Sequence, residues 1–158
     1  MPAAPPSTSA RALAFDTLGA VLEQKRPLDE VLEENPARDR LAPRDRGFAR
    51  LLVATTLRRL GQIDHIVDGC LDKPLPRRAV AVRQLLRLGI CQLLFLGTPP
   101  HAAVDTTVEL IAARGGEAGF KGLINAILRR VDRERAAWLE QTAGPSLNTP
   151  AWLWESWV

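Results

Sequence analysis

Two histidines, two cysteines and a scatter of carboxylates are the reactive side chains of this sequence, and their spacing sets none of them up for catalysis. His65 and His101 lie outside any HExxH frame for zinc and outside any GxSxG setting, and no serine is framed as a nucleophile. Cys70 and Cys91 form no CxxC pair, which argues against a zinc site or a secreted disulfide scaffold. They read as two reduced, buried thiols. Asp64, Asp68 and Asp72 recur at helical spacing, and such a row is usually a solvated face and not a metal site. The run Ala113-Arg114-Gly115-Gly116-Glu117-Ala118-Gly119 follows a helical pattern instead of a strand and lacks the GxGxxG and GxxxxGK spacings. It reads as an interhelical turn. No catalytic, metal-binding or cofactor-binding residue is therefore assigned in this chain.

The cations point elsewhere. Net charge is +3, with 21 Lys and Arg against 18 Asp and Glu. Residues 1–75 are balanced, so the excess sits wholly in residues 76–158. Only three cations are lysine, and arginine is the better bidentate partner for phosphate, so a polyanion such as nucleic acid is the expected partner. A GC-rich genome produces the same arginine bias, which makes position matter more than count. Arg44, Arg46 and Arg50 share one face of a helix, Arg83 and Arg87 stand four apart on another, and Lys121 opens a third. Arg129, Arg130, Arg133 and Arg135 crowd a helix carboxyl end, where they also complement its dipole. Aromatic rings near these positions are few, so contact by phosphate and shape is expected over base reading.

Helical periodicity supplies the scaffold for these residues. Ala14, Phe15, Leu18, Val21 and Leu22 form the stripe of a first helix, which Thr8 or Ser9 is placed to cap and Pro27 to end. A short second helix runs from Leu28 to about Glu34, and Pro43 opens a third, apolar on two sides. Gly61 permits a sharp turn into a fourth, ending near Leu71. The segment from Arg77 to Leu96 is too broadly apolar for a surface helix and belongs in the core. Another helix follows Pro100, and the last stripe is Phe120, Leu123, Ile124, Ile127, Leu128 and Val131. Asn125 interrupts that stripe and reads as a buried amide tying two helices. No alternating strand pattern occurs, so the expected fold is all-α, a compact bundle of six or seven helices over residues 9–143. Residues 1–8 read as a disordered tail with neither a core nor a secretory start, and no apolar run is long enough to cross a bilayer. The reading is of a soluble, cytoplasmic protein. Residues 144–158 read as a linker followed by Trp152, Trp154 and Trp157, three rings that need a partner: either their own bundle or a further domain.

Several segments carry a resemblance. They include Ala10-Arg11-Ala12-Leu13-Ala14, Asp45-Arg46, Leu57-Arg58, Gln62-Ile63-Asp64 and Lys73-Pro74-Leu75. Leu85-Leu86-Arg87-Leu88-Gly89-Ile90, Pro99-Pro100-His101-Ala102-Ala103-Val104, Lys121 through Arg129 and Pro150-Ala151-Trp152-Leu153 complete the set, and these last are the more specific. Together they resemble the NusB-like domain fused to the front of bacterial small-subunit ribosomal RNA cytosine-5 methyltransferases of the RsmB type. The resemblance implies an all-helical NusB-like fold that binds ribosomal RNA and is joined to a catalytic domain using S-adenosylmethionine and a cysteine nucleophile. Neither Cys70 nor Cys91 stands in that family's Pro-Cys or Thr-Cys context, so no catalytic role carries over. Arg11, Arg44, Arg46 and Lys121 are the expected RNA-binding residues. S-adenosylmethionine is expected only for the longer parent, whose own methyltransferase domain is the expected partner of Trp152, Trp154 and Trp157. Two rivals stand beside this reading. One is a free-standing NusB-type antitermination factor, against which only Arg11 matches the arginine-rich amino terminus those proteins carry. The other is a docking domain without RNA affinity.

Overall fold

The computed structural model describes residues 6–157. The expected tail, residues 1–8, lies mostly outside them, and its last three residues begin the first helix. Helix α1 spans Pro6–Glu23, so Thr8 and Ser9 lie within its first turns and not ahead of it. Helix α2 spans Leu28–Glu34 and α3 Pro43–Arg58, where Pro43 occupies the first position at which a missing N–H costs nothing. Helix α4 runs Leu60–Cys70 and α5 Val80–Phe95, the latter led in by a short turn of 3-10 helix at Arg77–Ala79. Helices α6, Pro100–Ala112, and α7, Lys121–Arg133, follow, joined through a 3-10 segment at Gly115–Phe120. Gly97 turns the chain between α5 and α6 with a φ of 65°, a conformation that favours glycine. No strand occurs among the described residues, and the fold is all-α as its periodicity predicts.

Helix α5 is the axis of the bundle. It packs against α1, α3, α4, α6 and α7, and Leu85, Leu86, Ile90, Cys91 and Leu93 are all essentially inaccessible. Its breadth of apolar surface follows from having neighbours on every side. Leu13, Ala14 and Leu18 of α1, Leu52 and Val53 of α3, and Ile63, Ile66 and Val67 of α4 close one half of the core. Val104 and Ile111 of α6 with Ile124, Leu128 and Val131 of α7 close the other. Each such side chain contributes about 1.5–3 kcal/mol on burial.

Two elements lie beyond the expected set. Helix α8, Arg135–Gln141, buries one large residue, Trp138, against Gly69 of α4; a Cβ at Gly69 would come within 2.8 Å of the indole ring. Helix α9 spans Ala151–Trp157. Between them the segment read as a linker is seated on α4 through a 3-10 turn at Pro145–Asn148. The Asn148 side-chain Oδ1 accepts from the Gln62 backbone N–H at 2.8 Å, and the Gln62 side chain donates to Thr142 Oγ1 at 2.9 Å. Gly61 makes the close approach possible, since any Cβ there would overlap the Leu147 carbonyl. Asn125 corrects another expectation: it is half-exposed and accepts from Arg129 Nε at 3.1 Å, one turn on, instead of entering the core.

Candidate nucleic-acid interface

The cations divide by whether a carboxylate neutralises them. On the α4–α5 seam, Arg87 grips Asp64 with both arms of its guanidinium, Nε to Oδ1 at 2.7 Å and Nη2 to Oδ2 at 2.8 Å. Arg83 reaches Asp64 at 3.5 Å and Asp68 at 2.8 Å. The arginines and aspartates that sequence spacing left as separate rows are thus one ion-pair network, with the carboxylates matched to guanidinium geometry. Arg50 is held by Asp29 at 3.0 Å and Arg26 by Glu30 and Glu34. Arg130 pairs with Glu134 and Arg135 with Asp132, at 2.9 and 3.1 Å. A neutralised cation has little attraction left for phosphate.

Arg44, Arg46 and Lys121 form no ion pair among the described residues. Arg44 and Lys121 are exposed and Arg46 is half-exposed. Arg44 and Arg46 stand in the first turns of α3, and Lys121 is the first residue of α7. At a helix amino end the dipole is positive, so a cation there gains nothing from the helix; with the unpaired N–H groups nearby, such an end suits an anion. The two ends are separate features. Helix α3 packs on α1, α4 and α5, whereas α7 packs on α5, α6 and α8.

Arg11 is different. It is buried at 5% exposure, its guanidinium 5.0 Å from the Phe48 ring centroid and its Nε donating to Gln92 Oε1. Nη1 has no partner among the described residues, and burial pulls its pKa below the usual arginine value. This cation holds α1 against α3 and α5 and presents no charge to solvent. The signal was present in the spacing, since Arg11 stands three residues before Ala14 and seven before Leu18 on the inward stripe of α1.

Arg58 and Arg59 are functional candidates that periodicity did not single out, because they fall where α3 ends and α4 begins. Arg58 donates to Thr55 Oγ1 and Arg59 to Gln62 Oε1, each at 3.3 Å. Arg59 also lies 4.4 Å from the Phe95 ring centroid.

The cysteines are inert in this setting. Both are buried and free, and burial pushes the Cys91 thiol up to about 11, so neither offers a thiolate at neutral pH. Among the described residues no three His, Cys, Asp or Glu side chains gather to hold a metal, and no helix is long and apolar enough to cross a membrane. Trp152 is 72% exposed, while the side chains of Trp154 and Trp157 lie outside the described ones.

Comparison with known proteins agrees with this architecture. The NusB family model matches residues 8–133. Ribosomal RNA small subunit methyltransferase B of Cronobacter sakazakii is 29% identical over 153 residues, covering 96% of this chain and 34% of that protein. The protein of the same name from Salmonella newport is 32% identical over 146 residues, covering 90% of this chain and 33% of its own length. The chain spans about a third of the length of the curated relatives it matches.

Proposed function

The chain belongs to the NusB family, and from that premise we propose that it is the RNA-binding amino-terminal domain of a methyltransferase that makes 5-methylcytosine in 16S ribosomal RNA. Its part is to hold and orient the RNA in the cytoplasm. The observation that carries the reading is the asymmetry of the match: proteins named as ribosomal RNA methyltransferases align with nearly all of this chain and a third of themselves. S-adenosylmethionine and the nucleophile belong to the remaining part.

Arg44, Arg46 and Lys121 meet RNA phosphate in this reading, and Arg11 supports the first two by holding α1 against α3. The α9 segment, with Trp152 exposed, packs on the methyltransferase domain; an exposed indole of this kind normally finds an apolar partner. That exposure also favours the second reading, a docking domain with no RNA affinity. Titration of the chain with 16S ribosomal RNA fragments at several salt concentrations separates the two. RNA binding predicts log affinity falling linearly with log salt, and Gln at each of the three cations lowers the slope by up to about 0.9. Binding that ignores salt, or none, leaves docking alone.

A further inference from the structure

We propose that the cleft between the carboxyl ends of α3 and α5 is a subsite for one unpaired nucleotide of the RNA, an inference that rests on the reading above and assigns it a second contact region. The cleft is open and encloses about 700 Å³, within the range of sites that hold single small ligands. Its lining mixes polar and apolar side chains. Leu94, Phe95 and Leu96 line it, and Leu51 completes it with 48% of its surface exposed, high for a leucine on a helix otherwise facing a core.

The rim carries the charge. Arg58 and Arg59 line the same cleft, and their polar partners are the neutral Thr55 and Gln62. Both arginines on α5, Arg83 and Arg87, have found a carboxylate, whereas these two have none among the described residues. Arg58 stands at the carboxyl end of α3, where the helix dipole welcomes it. Arg59 sits at the junction, at once the C-cap position of α3 and the N-cap position of α4, with no side-chain cap bond to α4. Its guanidinium carbon lies over the Phe95 ring, 4.4 Å from the centroid, which places a cation on an aromatic face at an exposed residue. Apolar side chains and an aromatic-backed cation beside a base, with a second cation for phosphate, are the features of single-strand recognition. Asn148 closes the far wall, held there by its bond to Gln62, so the folded-back segment is part of the site. An acidic apolar peptide would match the same charges, but it would leave the stacked guanidinium without a purpose.

The test is fluorescence anisotropy of the full chain with a short labelled single-stranded RNA and with a hairpin duplex of similar length. Arg58→Gln/Arg59→Gln should weaken single-strand binding about tenfold at low salt and lower the salt slope by about 0.7, with little effect on the duplex. Leu51→Ser should weaken binding and leave the slope unchanged. Arg58→Lys/Arg59→Lys should keep the slope but lose affinity, because lysine cannot stack as a plane. In RNA carrying 4-thiouridine, photo-crosslinks should map to the peptide holding Leu94–Leu96. An unchanged slope in the Gln variant, with wild-type binding intact and circular dichroism native, overturns the cleft and spares the wider RNA reading. Absence of salt-sensitive binding by the wild-type chain overturns both. Uptake of an Asp/Leu-rich peptide that RNA does not displace overturns the nucleotide as occupant.

Discussion

Arg11 and Gln92 stand 81 residues apart and meet inside the bundle, the guanidinium Nε donating to the amide Oε1. Gln92 also donates to the Leu88 carbonyl at 3.3 Å, so its amide is committed on both sides. Removing the arginine alone leaves the buried Oε1 without its donor, and the cost is the desolvation of that group. Arg11→Met should therefore lower stability by about 1–3 kcal/mol, and the pair Arg11→Met/Gln92→Met should recover most of it. Urea denaturation of the two single variants and the double gives the coupling. RNA affinity of Arg11→Met should keep the wild-type salt slope, because this cation is not presented to phosphate; a slope reduced by a full contact would restore it as a direct ligand.

The seat of the Pro145–Asn148 turn on α4 depends on Gly61. Even one methyl group at that position overlaps the Leu147 carbonyl, and backbone on both sides cannot yield cheaply. Gly61→Ala should cost about 1–3 kcal/mol and release the Pro145–Asn148 turn. Asn148→Ala should cost less, about 1 kcal/mol, because it removes one side-chain acceptor at a helix amino end. Hydrogen exchange reads this locally: the Gln62 amide should lose protection in both variants. Protection retained in Gly61→Ala would mean that the turn shifts without leaving.

How far the sequence could be read follows from what each signal depends on. The starts of α3 and α6 at Pro43 and Pro100 are local chemistry, and so is α2, which closes at Glu34 as expected. Helix α5 was legible because burial on every side leaves an unbroken apolar run. Helix α8 was not, since it contributes one anchor, Trp138, whose pocket at Gly69 lies far away in the chain. Asn125 was misread as core although Lys121, Asn125 and Arg129 form a polar row at four-residue spacing. Within the candidate site, Arg44, Arg46 and Lys121 were visible as exposed cations. Which other arginines were already spent was not, because Asp64 meets Arg87 across 23 residues, a choice that only the packed helices make.

That choice can be weighed. Asp64 is about three-quarters buried and gripped bidentately by Arg87, whereas Asp68 is 64% exposed and meets Arg83 at one atom. Exposed pairs contribute little, so Asp68→Asn should change stability by less than about 0.5 kcal/mol. Asp64→Asn should cost about 1–2 kcal/mol, because a largely buried guanidinium loses its matched partner. It should also raise the salt slope of RNA binding slightly by freeing Arg87. Equal costs for the two substitutions, measured by thermal unfolding at low and high salt, would deny the difference in geometry.

Cys91 predicts a pH dependence. The thiol is inaccessible and its pKa is raised from 9.0 to about 11, chiefly by desolvation, with a bond to Thr56 and the charges of Arg59 and Arg58 opposing in part. A folded-state pKa above the unfolded value means that the unfolded chain releases its proton first as pH rises. The contribution to stability is whole below about pH 9 and is lost progressively up to about pH 11, by about 2–3 kcal/mol in all. Lysines titrate in the same window, so the measured quantity is a difference between proteins. Cys91→Ala should be less stable than wild type near neutral pH, because it leaves a small cavity, yet its stability should decline less steeply between pH 9 and 11. Urea midpoints for both proteins across that range decide it: parallel declines would mean that Cys91 ionises in the folded state as readily as in the unfolded one, and that the site admits more water than its burial implies.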